Sequence, residues 1–360
     1  MNTLGNILKL TSFGESHGAM VGCVLDGLPA GVLLSEDEIQ KQVNRRKAGQ
    51  STFDSPRKEE DKVVLVSGLV NGMTTGTPIG MLIPNQQQRS SDYDHLKDVY
   101  RPNHADYTYD KKYGHRDRLG GGRSSIRITA PIVAAGDIAR QYLATQCDIC
   151  ITAYVVQIGG VGLEQNHDYS TLHLHAIDEV STRCPDKQAH QRMQSEIEKA
   201  KNSGDTLGGI IRCVIQQVPV GLGEPIFGKL QAQLANAMFA INTVKGFEYG
   251  DGFRSASQTG SAHNDSFWKD GELVKTKSNF SGGIQGGISN GMDIYFNVAF
   301  KPISSIHQKQ KTIQTQGQEI EIEISGRHDV CAVPRAIPII EAYANLVMAD
   351  VLLQSKHAKI

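Results

Sequence analysis

Met292-Asp293-Ile294-Tyr295-Phe296-Asn297-Val298-Ala299-Phe300 is the stretch on which the fold class turns. From Ile294 onward the large apolar side chains fall on every second position, the period of a β-strand with one buried face. Apolar or alternating runs at 20–28, 62–70, 79–84, 149–159 and 208–218 predict further strands. Helix signals lie between them. Ser35-Glu36-Asp37-Glu38 is a capping box ahead of Ile39 and Val43. Pro131 opens an Ala-rich run over 131–146, and segments 188–202, 225–241 and 334–354 complete the set. Strands and helices do not alternate as in a doubly wound parallel sheet. Neither a Gly-x-Gly-x-x-Gly fingerprint after an early strand nor a Walker-type Gly-Lys-Ser/Thr loop is present. The layout predicts an α+β protein of antiparallel sheets and packed helices. No linker or fixed-period repeat divides the 360 residues, so one domain over 1–360 is expected.

A formal net charge of −1 requires any basic patch to be local, which argues against bulk affinity for nucleic acid or a membrane surface. No apolar run is expected to reach the ~18–20 residues that span a bilayer. Met1–Leu10 lacks the layout of a secretory signal, and the six scattered cysteines read as reduced thiols, so a cytoplasmic location is expected. Only Cys147-x-x-Cys150 has suggestive spacing. No second pair completes a zinc set, and no metal is expected.

The chemistry concentrates in residues 100–125, where arginines, lysines, histidines and tyrosines precede Gly120-Gly121-Gly122-Arg123-Ser124-Ser125. Glycine amides and hydroxyls near a helix start can hold phosphate oxygens, with Arg123 as a bidentate clamp; a flexible hinge is the plainer alternative. His104, in Arg101-Pro102-Asn103-His104, is either a proton donor held by a nearby carboxylate or a solvated loop histidine. In Gly14-Glu15-Ser16-His17-Gly18 the glycines suit an exposed imidazole acting as an acid beside phosphate, or a turn with a capping serine. Asn44-Arg45-Arg46-Lys47 places cations at a helix C-terminus, with Arg57 and Lys58 just beyond. Weaker signals are Ser281–Ser289 with its two Gly-Gly pairs, Lys301-Pro302-Ile303-Ser304-Ser305, and Gly326-Arg327-His328-Asp329.

In order and spacing these segments resemble the chorismate synthase family, from about residue 4 to residue 350. The resemblance implies helices sandwiched between antiparallel sheets and a homotetramer. It also implies loss of phosphate and a C6 hydrogen from 5-enolpyruvylshikimate 3-phosphate, giving chorismate, with reduced FMN required although the reaction is redox-neutral. His17 would protonate the departing phosphate, His104 would stabilise the anionic reduced flavin, and Asp329 would help flavin N5 accept the C6 hydrogen. Arg46, Arg57, Arg123 and Arg327 would hold the substrate's phosphate and carboxylates. Arg123, Ser124, Ser125, Asn242, Gly286, Lys301, Pro302, Ile303, Ser304, Ser305 and Arg327 match FMN-contacting positions. Arg46 would also meet NADPH in a member that reduces its own flavin. A trianionic substrate beside an anionic flavin needs such cations, because burying unpaired charge costs on the order of several kcal/mol per ion.

The chain departs from the family's pattern at Asn103, where glycine is usual, and at Thr52 and Leu119, where arginine is common. Ile126 and Ile128 flank Arg127 in place of alanine and glutamate, which removes an expected partner for that cation. A flavin-binding paralogue without elimination activity is therefore an alternative. A nucleic-acid-binding protein using the basic, tyrosine-rich stretch 100–127 is another.

Overall fold

Two five-stranded antiparallel sheets enclose a layer of helices in the computed structural model, which describes residues 1–50, 59–86, 95–163, 167–324, 328–356 and 358. In the first sheet β1 (Thr3–Leu4), β2 (Lys9–Gly14), β3 (Met20–Asp26), β7 (Ile79–Pro84) and β4 (Val64–Leu65) lie side by side in that order. In the second the order is β11 (Val244–Tyr249), β16 (Ile294–Phe300), β10 (Gly209–Gln216), β8 (Cys150–Ile158) and β9 (Val161–Gly162). Four hairpins decorate this frame: β5 (Leu69–Val70) with β6 (Met73–Thr74), β12 (Phe267–Asp270) with β13 (Leu273–Thr276), β14 (Ile284–Gln285) with β15 (Ile288–Ser289), and β17 (Gln310–Ile313) with β18 (Glu319–Ile322). The helices are α1 (Glu36–Arg46), α2 (Asp106–Tyr113), α3 (Thr129–Gln146), α4 (Lys187–Asn202), α5 (Leu230–Phe239), α6 (Gly260–His263) and α7 (Val333–Ser355).

The alternation from Ile294 to Phe300 has its cause in β16. Ile294, Phe296, Val298 and Phe300 are buried, and Val298 and Phe296 face Ile211 and Cys213 across β10. Helix α3 packs on β3 and β7 of the first sheet, α7 packs on β8 and β10 of the second, and the two helices pack against each other. Their contact is close because residue 136 is glycine: a Cβ there would sit 2.3 Å from the Ala342 Cβ. The expected α+β sandwich, helices between antiparallel sheets, is the architecture observed.

Helix α7 corrects the expectation that no run reaches membrane-spanning length. It is long and apolar enough, but 89% of its apolar window is buried in the protein, which makes it a core helix. Pro338 lies inside it and cannot donate to Pro334 O, and Arg183 Nη1 donates to that oxygen at 2.8 Å instead. The Asp350 carboxylate accepts the backbone N–H groups of Asn6, Ile7 and Leu8 at 2.8, 2.7 and 2.8 Å, tying the N-terminus to α7.

Other expected boundaries shift for local reasons. The run 62–70 divides into β4 and β5 at Gly68, whose φ of 83° lies in the left-handed region. The helix expected from 225 begins at Leu230, because Glu224 N–H donates to Gly228 O in a loop across Pro225. Helix α2, inside the segment read as loop, ends at Gly114 with φ 69°, the left-handed cap that glycine supplies.

Candidate active site

His104 sits on a turn that the sequence specifies closely. His104 N–H donates to Arg101 O at 3.2 Å, with Pro102 second and Asn103 third at φ 55°. A positive φ at position three, as in type II turns, is one that glycine or asparagine adopts. Asn103 therefore meets the backbone requirement at a place where glycine is usual. The turn delivers His104 to Asp106, the buried first residue of α2, with Nδ1 3.0 Å from Oδ1. Arg101 grips the same carboxylate through Nε and Nη2, both at 2.7 Å, and Arg116 Nη1 adds a contact at 2.9 Å.

Burial alone would raise the Asp106 pKa, but Arg101 and His104 hold this carboxyl well below the usual carboxylate range. Burial pushes His104 below its ordinary value, and the Arg101 and Lys301 charges reinforce this against Asp106. The free protein thus carries a neutral imidazole at pH 7, donating Nδ1–H to the carboxylate. A solvated loop histidine is excluded; a histidine held by the nearby carboxylate is what the fold builds.

The triple glycine and His17 need correcting together. His17 is buried at 6% exposure, not displayed on an open loop, and its Nδ1 lies 2.9 Å from Ser16 Oγ. A Cβ on Gly120 would come within 2.1 Å of that Nδ1, so Gly120 is glycine to admit the imidazole. Gly122 adopts φ 50°, and Ser124 Oγ donates to Gly121 O at 2.6 Å. This is a shaped wall and not a loose hinge. Arg123 turns away from it, donating to Ser12 Oγ at 3.1 Å, Gly14 O at 3.2 Å and Asn2 Oδ1 at 3.2 Å.

A cluster of cations lines the same cleft. Arg46, the last residue of α1, is buried and donates through Nη2 to Asp61 Oδ2 at 2.8 Å. Arg127 Nη1 contacts the other Asp61 oxygen and lies 2.6 Å from Glu59 Oε2. The glutamate missing beside Arg127 in sequence is thus replaced by two distant carboxylates, correcting the expectation of an unpartnered cation. Burial pushes Arg46 down, and the nearby Arg335 and Arg127 charges add to this against Asp61. Burial would raise Asp61, but Arg46 and Arg127 hold it below its ordinary value. Arg335, in the first turn of α7, contacts the Asp329 carboxylate and donates to Arg46 O at 3.2 Å.

These segments enclose one cleft of about 1500 Å³ counting its open mouth. His104, Ser124, Ser125, Asn242, Ile303, Ser304, Ser305 and Asp329 line it, together with Arg46, Lys47, Arg101, Arg127 and Arg335. Cross-links set the spacing: Asn242 Nδ2 donates to Ser124 O at 2.8 Å, and Ser304 Oγ to Asn103 O at 3.2 Å. Asn242 Oδ1 and Arg46 Nε are buried without a hydrogen-bond partner among the described residues. Of the other expected site residues, His17 lies behind Gly120, and Arg123 lines an adjoining cavity that shares Gly121 and Ser124. Lys301 and Pro302 precede the lining part of their loop, and Gly286 sits with Gly287 in the two-residue turn of β14–β15, outside the cleft wall. Arg57 and Arg327, and the Thr52 departure, lie outside the described residues.

Sequence reasoning missed Asp61, Glu59 and Arg335 as site residues. Glu59-Glu60-Asp61 resembles a solvated charge run, and only a backbone signal, φ 48° at Asp61, marks it as unusual.

A cation-rich cleft in an antiparallel α+β sandwich is the kind of site that takes a small anionic ligand. The family model described as chorismate synthase matches residues 8–353. The chorismate synthase of Christiangramia forsetii is 53% identical over 359 residues, covering 100% of this chain and 99% of that protein. That of Parabacteroides distasonis is 52% identical over 356 residues, covering 99% of each. A crystal structure of chorismate synthase superposes with a TM-score of 0.76 at 30% identity, covering 97% of this chain and 92% of that one. The chain belongs to the chorismate synthase family, carbon–oxygen lyases of the shikimate pathway.

Proposed function

We propose that this chain converts 5-enolpyruvylshikimate 3-phosphate to chorismate in the cleft, with reduced FMN supplied from outside. One observation carries the proposal: His104, Ser124–Ser125, Asn242, Ile303–Ser305 and Asp329, far apart in sequence, line one cleft with four arginines. The residues present suit a flavin. The cleft is lined by hydroxyls, an amide and cations, and buried Asn242 Oδ1 offers an acceptor with no partner among the described residues. Ser124, Ser125, Asn242 and Ile303–Ser305 would hold FMN, with Lys301 behind them. When bound, reduced FMN supplies electron density that eases phosphate departure and is then recovered, so no net oxidation occurs.

The chain's own groups do the rest. Arg46, whose Nε–H has no partner among the described residues, and Arg127 would hold the substrate's anionic groups, as would Arg57 and Arg327. His17 gives a proton to the departing phosphate oxygen, its ring oriented by Ser16 and enclosed by Gly120. Asp329, gripped by Arg335, assists loss of the C6 hydrogen. Arg123 enters through its place beside Ser124. The proposal includes one domain over 1–360, a cytoplasmic location and a homotetramer. Phe267, Trp268, Leu273 and Val274, exposed on β12–β13, offer an apolar face for contact between copies, while the number four rests on the family resemblance.

Anaerobic assay with photoreduced FMN is expected to yield chorismate, and oxidised FMN with NADPH to yield none. No chorismate with pre-reduced flavin at any enzyme concentration would overturn the function in favour of a non-catalytic flavin binder. Product from NADPH and oxidised FMN would overturn external supply of the reduced cofactor.

His104 carries a pH expectation. Its pKa is depressed in the free protein, and an anionic flavin would raise it, so binding should take up a proton between the two values. Affinity for reduced FMN then strengthens as pH falls through that window and levels off below the free-protein value. Calorimetry in buffers of different ionisation enthalpy should show this uptake in the wild type and lose it in His104→Gln. Uptake unchanged in the variant would remove His104 from the flavin's electrostatics.

A further inference from the structure

We infer that Asn85 is a positioning residue for His17, coupling the acid's turn to the cleft's cation Arg127; this rests on the reading of His17 as the proton donor. Asn85 immediately follows β7, and its N–H donates to Ala19 O at 3.0 Å. Its side chain reaches both ends of the turn that carries His17. Nδ2 donates to Glu15 O at 3.0 Å and to Gly18 O at 2.8 Å, across a turn closed by Gly18 N–H donating to Glu15 O at 3.1 Å. Oδ1 accepts from Arg127 Nε at 2.8 Å, which fixes the amide's orientation. Arg127 is itself held on three sides, by Asp61, by Glu59 and by Pro84 O at 3.0 Å through Nη2.

One amide therefore spans a turn that contributes no residue to the cleft wall and a guanidinium that does. Both oxygens it clamps are backbone carbonyls, so the clamp sets the path of the chain through Ser16 and His17. Gly120, against the imidazole, leaves little room for an error in that path. An anion that draws on Arg127 acts on the same guanidinium that orients Asn85. The structure thus supplies a direct route by which an occupied cleft and a correctly placed acid depend on each other.

The test compares Asn85→Ala, His17→Ala and the double variant, as full chains with photoreduced FMN under anaerobic conditions. Asn85→Ala is expected to lower kcat at least ~10-fold, since misplacing a reacting group by about 1 Å can cost ~100-fold. Its KM for the phosphorylated substrate should change less than kcat, because Arg127 keeps Asp61, Glu59 and Pro84 O when Asn85 is lost. The double variant should be no slower than His17→Ala alone, the non-additivity of residues acting as one unit. Asn85→Asp, which keeps the acceptor for Arg127 and puts a carboxylate oxygen against both carbonyls, should share the kcat loss. Wild-type kcat in both Asn85 variants, or independent multiplication of the losses in the double variant, would overturn the positioning role while leaving the acid assignment standing. Normal turnover in His17→Ala would instead overturn the acid assignment, and with it the inference.

Discussion

Asp61→Ala is expected to destabilise the protein by about 3–5 kcal/mol, the range for removing one partner of a buried ion pair. Asp61 is 3% exposed, and its carboxylate faces Arg46, also 3% exposed, and Arg127. Among the described residues Arg127 would keep Glu59, whereas Arg46 would keep only the Ile126 carbonyl at 3.3 Å and face the repelling charges of Arg335 and Arg127. The cost should therefore centre on Arg46. Because the Asp61 pKa is depressed on folding, its contribution is present above the unfolded carboxylate value and is lost as pH falls through the folded value. The gap between variant and wild type, measured by urea unfolding, should shrink in acid. Asp61→Asn should recover part of the packing and little of the charge. Equal stability of Asp61→Ala and wild type at neutral pH would show that these arginines are not held as buried charges.

His17→Ala is expected to lower kcat at least ~100-fold, the scale of a lost general acid. Gly120→Ala provides a companion that keeps the imidazole. Its methyl would lie 2.1 Å from His17 Nδ1 and 2.4 Å from Cε1, so the ring must move, and a loss of similar order should follow. Single-turnover phosphate release with reduced flavin separates this from slow product release. A wild-type rate in His17→Ala would strip His17 of its role, and one in Gly120→Ala would show that the ring can shift without consequence.

What could be read in the sequence follows how local each signal is. The β16 alternation and the Ser35 capping box are written within a few residues and reappear as a strand and a capped helix, Ser35 Oγ accepting from Glu38 N–H at 3.3 Å. The link between His104 and Asp106 is likewise local, and its two-residue spacing is enough to suggest it. Arg127 shows the limit. Its neighbours Ile126 and Ile128 suggested a cation without a partner, yet its carboxylates are 66 and 68 positions away and meet it only once β7 and α3 are packed. His17 shows it too: flanking glycines suggested exposure, but Gly120 closes over the ring from another part of the chain.

By itself the sequence determined the α+β class, the turn that presents His104 and the family to which the chain belongs, because periodicity, turn chemistry and motif order are properties of short stretches. Only the tertiary structure decided that Asp61 holds two arginines, that Arg335 grips Asp329, and that Arg123 and Gly286 lie outside the cleft wall. The physical reason is that charge pairing and burial depend on distances through space. Those distances are set where the two sheets close on α3 and α7, bringing together residues that no local pattern connects.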